Sequence, residues 1–190
     1  NVATLRAFND LADWGADSIR VGIGGGSICS TRIQTGHGIP TLQSIIECAQ
    51  TSRDAKIIAD GGIKSSGDIV KALAAGADFV IVGSLLAGTT QSPGEVYYKD
   101  GQKLKTYRGM ASEEAQKDWR GAASSLEGVS TSIPYKGHAG DILKEIKRGI
   151  RSGLSYSGAR NLTELRAKSQ FIKQTQASQI ESDTHIRMRY

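Results

Sequence analysis

Three short apolar segments, each running into a loop that contains glycine, constrain the fold of this chain more than any other feature. They occupy residues 18–23, 56–60 and 77–82. Helices with one apolar face are predicted around them, at residues 5–14, 41–51, 66–75, 141–153 and 162–167. Strands that are apolar on both faces and alternate with such helices predict parallel βαβ units. Ligand sites in these folds gather where the strands end, so we expect functional residues in the glycine loops.

The alternation of strands and helices stops after Leu86. The dipeptides Pro93-Gly94 and Asp100-Gly101 bracket segments of alternating character, which predicts a β-hairpin excursion. Residues 111–130 are polar and lack apolar periodicity, and we interpret them as a mobile flap. The tail at residues 174–190 is polar as well.

The number of strands indicates that this sequence is part of a larger fold. A closed parallel barrel has about eight strands, whereas three are convincing here, and the chain begins inside a helix without Met. We therefore expect an N-terminal half that lies outside this sequence. The alternative is a small self-contained α/β sheet, which would leave apolar strand edges unpaired.

Composition excludes several classes of function. The net charge is +5, but Lys and Arg are spread along helices, which argues against nucleic acid as a partner. No run of about 18 apolar residues is present, so we expect no membrane insertion. The two cysteines, Cys29 and Cys48, do not form a disulfide framework, and we expect a cytoplasmic location. Cys48 lies on an apolar helix face and is predicted to belong to the core.

One glycine loop carries a cysteine. Residues 23–31 read Ile-Gly-Gly-Gly-Ser-Ile-Cys-Ser-Thr. Glycines let backbone groups approach an ion or a phosphate closely. The same glycines also suit a tight turn, and a lone cysteine such as Cys29 is more often a small buried apolar residue than a nucleophile.

Taken with the strings around it, this loop resembles the catalytic cysteine loop of the IMP dehydrogenase and GMP reductase family. Thr-Gly-His-Gly-Ile-Pro follows at residues 35–40, and the other matching strings keep the family's order and spacing. They are Ile-Ala-Asp-Gly-Gly-Ile at 58–63, Val-Gly-Ser-Leu-Leu-Ala-Gly at 82–88, Ser-Pro-Gly-Glu at 92–95 and Tyr-Arg-Gly-Met-Ala-Ser at 107–112. The resemblance covers essentially the whole chain. It implies an α/β fold, namely the C-terminal half of a (β/α)8 TIM barrel with a β-hairpin excursion and a short catalytic flap.

The resemblance also implies a chemistry. The thiolate of Cys29 would attack C2 of a purine mononucleotide and form a covalent adduct, and a hydride would pass between C2 and NADPH or NAD. The positions that would bind the nucleotide are Ser27, Asp60, Gly62, Gly83, Ser84, Tyr107, Gly109 and Met110. Asp60 would take the ribose hydroxyls, although a carboxylate before Gly-Gly could instead be a turn residue.

The resemblance implies further site positions, for the nicotinamide and for a cation, and each has a simpler structural explanation as an alternative. Arg20 and Gly22 would lie near the nicotinamide, but an ion pair of Arg20 with Asp17 would explain that arginine equally well. A potassium ion would be bound by carbonyls of the cysteine loop together with the tail of a neighbouring subunit, unless the tail is disordered. The positions for this ion are Gly24, Gly26, Cys29, Glu181, Ser182 and Asp183. A shared cation site and the resemblance imply a homotetramer.

The family contains two reactions, and this sequence has features of both. Thr31 and Glu127 match the acid-base pair of the reductase, which converts GMP and NADPH to IMP and ammonia. The flap is short and has no Arg-Tyr pair of the kind with which dehydrogenases activate water, so a reductase is favoured. The strings at 92–95 and 107–110 and the tail at Glu181 resemble the dehydrogenase, which converts IMP, NAD and water to XMP. Some dehydrogenases also carry Glu at the position that matches Glu127, so this residue discriminates weakly between the two reactions. A non-catalytic nucleotide-binding half-barrel is the remaining alternative.

Overall fold

A parallel sheet forms the centre of the fold. In the computed structural model, which describes residues 1–124 and 126–184, its strands are β1 (Ser18–Val21), β2 (Lys56–Asp60) and β3 (Phe79–Ile81), in that order. Both pairs are parallel, with Ile19 opposite Ile57 and Ile58 opposite Phe79. Val2 forms a further parallel bridge to Val21, so the chain enters beside β1. The three predicted strands and their parallel arrangement are confirmed.

Helices cover this sheet and continue after it. They are α1 (Leu5–Asp13), α2 (Thr31–Thr35), α3 (Thr41–Cys48), α4 (Ser66–Ala74), α5 (Glu113–Arg120), α6 (Ala139–Tyr156), α7 (Leu162–Lys168) and α8 (Gln176–Glu181). Three of the predicted helices begin at hydroxyl or amide caps, where Thr4, Ser65 and Asn161 accept hydrogen bonds from the first helical turn. Such caps satisfy N–H groups that have no partner inside the helix. The amphipathic helices predicted from the sequence are therefore confirmed.

The core lies between the parallel sheet and its helices. Phe8 of α1, Ile45 of α3, Val21 of β1 and Leu165 of α7 are completely or almost completely buried. Burying each such side chain stabilises the fold by about 1.5–3 kcal/mol. Cys48 is also fully buried, as predicted.

A second, antiparallel sheet stands outside the βα pattern. It contains β4 (Val96–Lys99), β5 (Gln102–Arg108) and β6 (Ser130–Pro134) in that order. The predicted hairpin of β4 and β5 is confirmed, and Asp100 and Gly101 at its tip both have positive φ, as in the turns that suit hairpins. β6 was not predicted, because its polar sequence becomes a strand only through pairing with β5.

The flap contains a helix that the sequence pattern did not predict. In α5 most residues are exposed, and only Ala115 and Gln116 are buried, which is too few for an apolar periodicity. Local signals explain the helix instead. Ser112 caps it, acidic residues fill its first turn and basic residues its last turn. The polar tail likewise contains α8. In the described part of the chain, no helix is long and apolar enough to cross a membrane.

Candidate active site

Backbone contacts between two glycine loops position the site. A Cβ atom on Gly22 would lie 1.9 Å from the carbonyl oxygen of Asp60, and one on Gly61 would lie 2.9 Å from the backbone of Gly25. Both Gly22 and Gly61 have positive φ. Side chains at these positions would therefore force the loops apart. The loop after β1, which carries Cys29, is thereby fixed against the loop after β2.

The end of the flap pairs with the cysteine loop. Cys29 and Gly128 form an isolated antiparallel bridge. The N–H of Ser30 donates to the carbonyl of Glu127 at 2.9 Å, and the N–H of Val129 donates to the carbonyl of Ile28 at 3.0 Å. These bonds hold Glu127 beside Cys29, although the two residues are far apart in sequence.

Cys29, Thr31 and Glu127 form a continuous hydrogen-bonded chain. The thiol of Cys29 donates to the hydroxyl of Thr31 at 3.2 Å, and this hydroxyl donates to Oε2 of Glu127 at 2.7 Å. The shorter distance is typical of a hydroxyl bound to a carboxylate. Cys29 is partly buried. The arrangement can move a proton between the sulfur and the carboxylate through one hydroxyl.

A cavity of about 540 Å³ opens over these three hydrogen-bonded side chains. Its volume lies in the range of small-molecule sites. Met110 and Trp119 expose apolar surface at its wall, and the hydroxyls of Ser27 and Tyr107 lie 3.2 Å apart in it. The predicted site residues that line it are Gly26, Ser27, Cys29, Thr31, Tyr107, Gly109, Met110 and Glu127. The structure thus brings the predicted catalytic residues together with half of the predicted nucleotide ligands.

Asp60 is held on one side by nitrogen donors. Its Oδ2 accepts from Nη2 of Arg20 at 2.6 Å, from Nε of Arg20 at 3.2 Å and from Nδ2 of Asn1 at 2.6 Å. Its Oδ1 accepts no hydrogen bond from residues 1–124 or 126–184. The alternative pairing of Arg20 with Asp17 is wrong, because Arg20 at the end of β1 lies beside the end of β2. Asn1 was missed, since a first residue shows no local pattern.

The remaining predicted nucleotide ligands lie at the ends of β2 and β3 but do not line the Cys29 cavity. Gly62 borders a separate cavity of about 380 Å³, and Gly83 borders one of about 630 Å³ on the other side of Tyr107. The carbonyl of Ser84 accepts from the ammonium of Lys136 at 2.6 Å. Burial lowers the pKa of Lys136 from its ordinary value.

The predicted cation and nicotinamide positions are only partly brought together. Gly24, Gly26 and Cys29 share one loop, and their carbonyl oxygens are the ligand type that suits potassium. Ser182 and Asp183 close the end of α8 through bonds to Ser178 and Ile180. Within the described ranges, no group of three or more His, Cys, Asp or Glu could hold a metal ion. At the strand ends, Arg20 donates to the carboxylate of Asp60, and the carbonyl of Gly22 accepts from the side chain of Asn1.

The parallel sheet, with Cys29 in the loop between β1 and α2, places the chain among α/β proteins that carry a ligand site at the ends of their strands. Residues 1–185 match the family described as IMP dehydrogenase / GMP reductase domain, and the chain belongs to this family. It is 45% identical to inosine-5'-monophosphate dehydrogenase of Nitrosopumilus maritimus over 97% of this chain and 42% of that protein. It is 43% identical to GMP reductase of Leishmania major over 97% of this chain and 40% of that protein.

A solved structure supports the half-barrel. The crystal structure of a GMP reductase variant from Trypanosoma brucei in complex with guanosine 5'-monophosphate matches with a TM-score of 0.93 and 42% identity. The match covers 97% of this chain and 40% of that chain. The predicted fold class is confirmed. The chain spans about two fifths of the length of these relatives, which carry both enzyme names.

Proposed function

We propose that this chain carries the catalytic half of a GMP reductase, which converts GMP and NADPH to IMP, ammonia and NADP⁺. The observation that carries the proposal is the hydrogen bond of 2.7 Å between Thr31 and Glu127, continued to Cys29. Loss of an amine needs a proton donor beside the leaving nitrogen. A carboxylic acid and a hydroxyl next to the nucleophile supply one.

In this reaction Cys29 first loses its proton through Thr31 to Glu127, and its sulfur bonds to C2 of the purine. The bond between C2 and the exocyclic nitrogen then breaks as Glu127 returns the proton through Thr31, and ammonia leaves. The nicotinamide supplies the hydride that C2 receives. The C2–sulfur bond finally breaks with its electron pair on sulfur, which yields IMP, and a proton from solvent returns the Cys29 thiolate to the thiol. The net reaction consumes one proton for each GMP and NADPH.

The nucleotide is bound by groups around this centre. Ser27 and Tyr107 offer hydroxyls to its phosphate, together with backbone groups of Gly62, Gly83 and Ser84. The free Oδ1 of Asp60 accepts from the ribose. Met110 and Gly109 pack against the base. The GMP bound by the related Trypanosoma brucei enzyme supports a purine mononucleotide as the ligand.

IMP dehydrogenase is the second candidate. It is favoured by relatives of that name at 45% identity and by one feature of the cavity. The guanidinium of Arg120 lies 4.2 Å from the ring centre of Trp119, and both residues line the cavity with Glu127. An arginine in this position could activate water for hydrolysis of the adduct.

The remaining expectations are proposals of the same kind. We propose that carbonyls of Gly24, Gly26 and Cys29 bind potassium, that Glu181 to Asp183 of a neighbouring copy complete this site, and that the enzyme is a cytoplasmic homotetramer. Arg20 and Gly22 would border the nicotinamide. None of these proposals is needed for the acid-base chemistry of Thr31 and Glu127.

Turnover assays on the native gene product that carries this chain test the assignment. One assay supplies GMP with NADPH and the other supplies IMP with NAD, and both follow the absorbance of the reduced nicotinamide. Oxidation of NADPH with release of ammonia supports the reductase. Reduction of NAD with formation of XMP alone identifies a dehydrogenase. Nucleotide binding without either reaction identifies a non-catalytic half-barrel.

A further inference from the structure

A buried amide lies inside the flap. Gln116 is 4% exposed and, with Ala115, is one of the two buried residues of α5. Its Nε2 donates to the carbonyl of Ala111 at 3.0 Å. Its Oε1 accepts from the N–H of Ser124 at 3.1 Å and lies 3.5 Å from the hydroxyl of Ser124. One side chain therefore ties Ala111, which precedes the cap of α5, to Ser124, which follows the helix.

This amide bonds to one backbone group on each side of α5, the carbonyl of Ala111 and the N–H of Ser124. A buried amide is costly unless its donor and its acceptor both find partners. A Leu or Met of similar length would fill the same space on α5. The amide is needed because it closes the segment from Ala111 to Ser124 into one compact unit.

The same unit is in contact with Gly128, the residue that follows Glu127. A Cβ atom on Gly128 would come within 3.0 Å of the backbone nitrogen of Ser112, so the end of the flap lies directly on its start. The carbonyls of Leu126 and Glu127 accept from the side chain and the N–H of Ser30. The bond of Gln116 to Ala111 therefore fixes the start of the flap where it contacts Gly128, the neighbour of Glu127.

We propose that Gln116 is a positioning residue for proton transfer, which holds the flap so that the carboxylate of Glu127 meets the hydroxyl of Thr31. The proposal rests on the proposed function, because it assigns the consequence to the acid-base pair. Gln116 does not exchange a proton itself. It acts through Ala111 and Ser112, whose backbone contacts Gly128 beside Glu127.

The test compares Gln116→Met, which keeps the packing and removes the bonds of the amide to Ala111 and Ser124, with Gln116→Glu, which keeps an acceptor for Ser124 and loses the donor to Ala111. Lys117→Met is the matched control, because Lys117 is exposed on the same helix and forms an exposed ion pair with Glu113. Gln116→Met should lower kcat about 10- to 100-fold, as expected for a misplaced catalytic group. The Kd for GMP should change less than about threefold, and Gln116→Glu should fall between Gln116→Met and the native protein.

The decisive arm repeats Gln116→Met in a Glu127→Gln background. If Gln116 acts through Glu127, the second substitution should have almost no further effect on kcat. Additive losses, or a change confined to thermal stability, would overturn the positioning role. The single variant Glu127→Gln distinguishes failure of the proposed acid-base chemistry from failure of the positioning role of Gln116. If it leaves kcat unchanged, the proposed acid-base chemistry fails, whereas a loss with additive behaviour refutes only the role of Gln116.

Discussion

Thr31 and Glu127 are 96 positions apart in sequence, yet the hydroxyl of Thr31 donates to the carboxylate of Glu127 at 2.7 Å. Two structural features produce this contact. The glycine loop after β1 leads into α2, which begins at Thr31. The end of the flap pairs with the same loop at Ser30. Docking of the flap thus brings the proposed acid-base pair together, and substitution of either residue should lower kcat more than it weakens nucleotide binding.

Replacing Thr31 with Val should disable the proton path. Valine keeps the shape of threonine but has no hydroxyl, so Cys29 and Glu127 lose the group that joins them. We expect kcat to fall at least about 100-fold, with the Kd for GMP nearly unchanged. Thr31→Ser keeps the hydroxyl and should retain most of the activity. Equal losses in the Val and Ser variants would show that the hydroxyl is not part of the path.

Replacing Cys29 with Ala should abolish turnover and preserve nucleotide binding. The adduct forms through the sulfur of Cys29, whereas many other residues line the cavity and can still bind the nucleotide. Intact-protein mass spectrometry after mixing with GMP and NADPH should detect an adduct on the native protein and none on the variant. Cys48→Ala is the control, because Cys48 lies in the core and should affect stability only. Residual turnover in Cys29→Ala would exclude covalent catalysis.

Replacing Arg20 with Gln should weaken nucleotide binding through the ribose. Arg20 occupies Oδ2 of Asp60 and so leaves Oδ1 for hydroxyl groups. The Kd for GMP, measured by calorimetry, should rise about 10-fold, the order expected when one charge-assisted hydrogen bond is disturbed.

A thermodynamic cycle with a ligand variant makes this prediction specific. With 2',3'-dideoxyguanosine monophosphate, Arg20→Gln should leave the Kd almost unchanged, because the hydroxyls that need Asp60 are absent. Arg53→Gln, which removes an exposed ion pair with Asp13, serves as the control. A loss of the same size with both nucleotides would assign Arg20 to something other than the ribose.

The two thiols should react very differently. Burial raises the pKa of Cys48 from 9.0 to about 11, with a smaller contribution from the charge of Glu47, and its side chain is fully buried. Because thiolates are the reactive form, iodoacetamide near neutral pH should label Cys29 alone, and GMP should protect it. Peptide mass spectrometry measures this. Labelling of Cys48 in the folded protein at the same rate would contradict the assignment.

The raised pKa also predicts a direction for stability. The native protein holds the proton of Cys48 more tightly than the unfolded chain does. The free energy of unfolding should therefore fall as the pH rises from about 9 toward 11 and be unaffected by this group at lower pH. Cys48→Ala should reduce this alkaline loss, as measured by urea unfolding.

The parts of the fold that the sequence predicts are those with local patterns. Continuous apolar residues identify β2, and its predicted bounds agree with the structure. The helix predicted at residues 66–75 agrees closely with α4, but its cap is Ser65 and not the expected Ser66. β6 depends on pairing with β5, and α5 depends on its end charges and on Ser112, so neither has an apolar periodicity to reveal it.

The site shows the same division. Cys29, Thr31 and Glu127 could be predicted because they stand in recognisable strings. The partners of Asp60 could not, because Arg20 and Asn1 reach it across neighbouring strands. The amide of Gln116 was missed for a similar reason, since its bonds to Ala111 and Ser124 exist only once the flap is folded.

The release of ammonia from GMP by Glu127→Gln tests the central claim most directly. The native protein, supplied with GMP and NADPH, should release one ammonia for each NADPH oxidised. Glu127→Gln should bind GMP with a similar Kd and release ammonia about 100- to 10,000-fold more slowly, because the amide cannot return the proton. Two results would contradict the account. One is ammonia release by Glu127→Gln at the native rate, and the other is a native protein that turns over IMP with NAD but not GMP with NADPH.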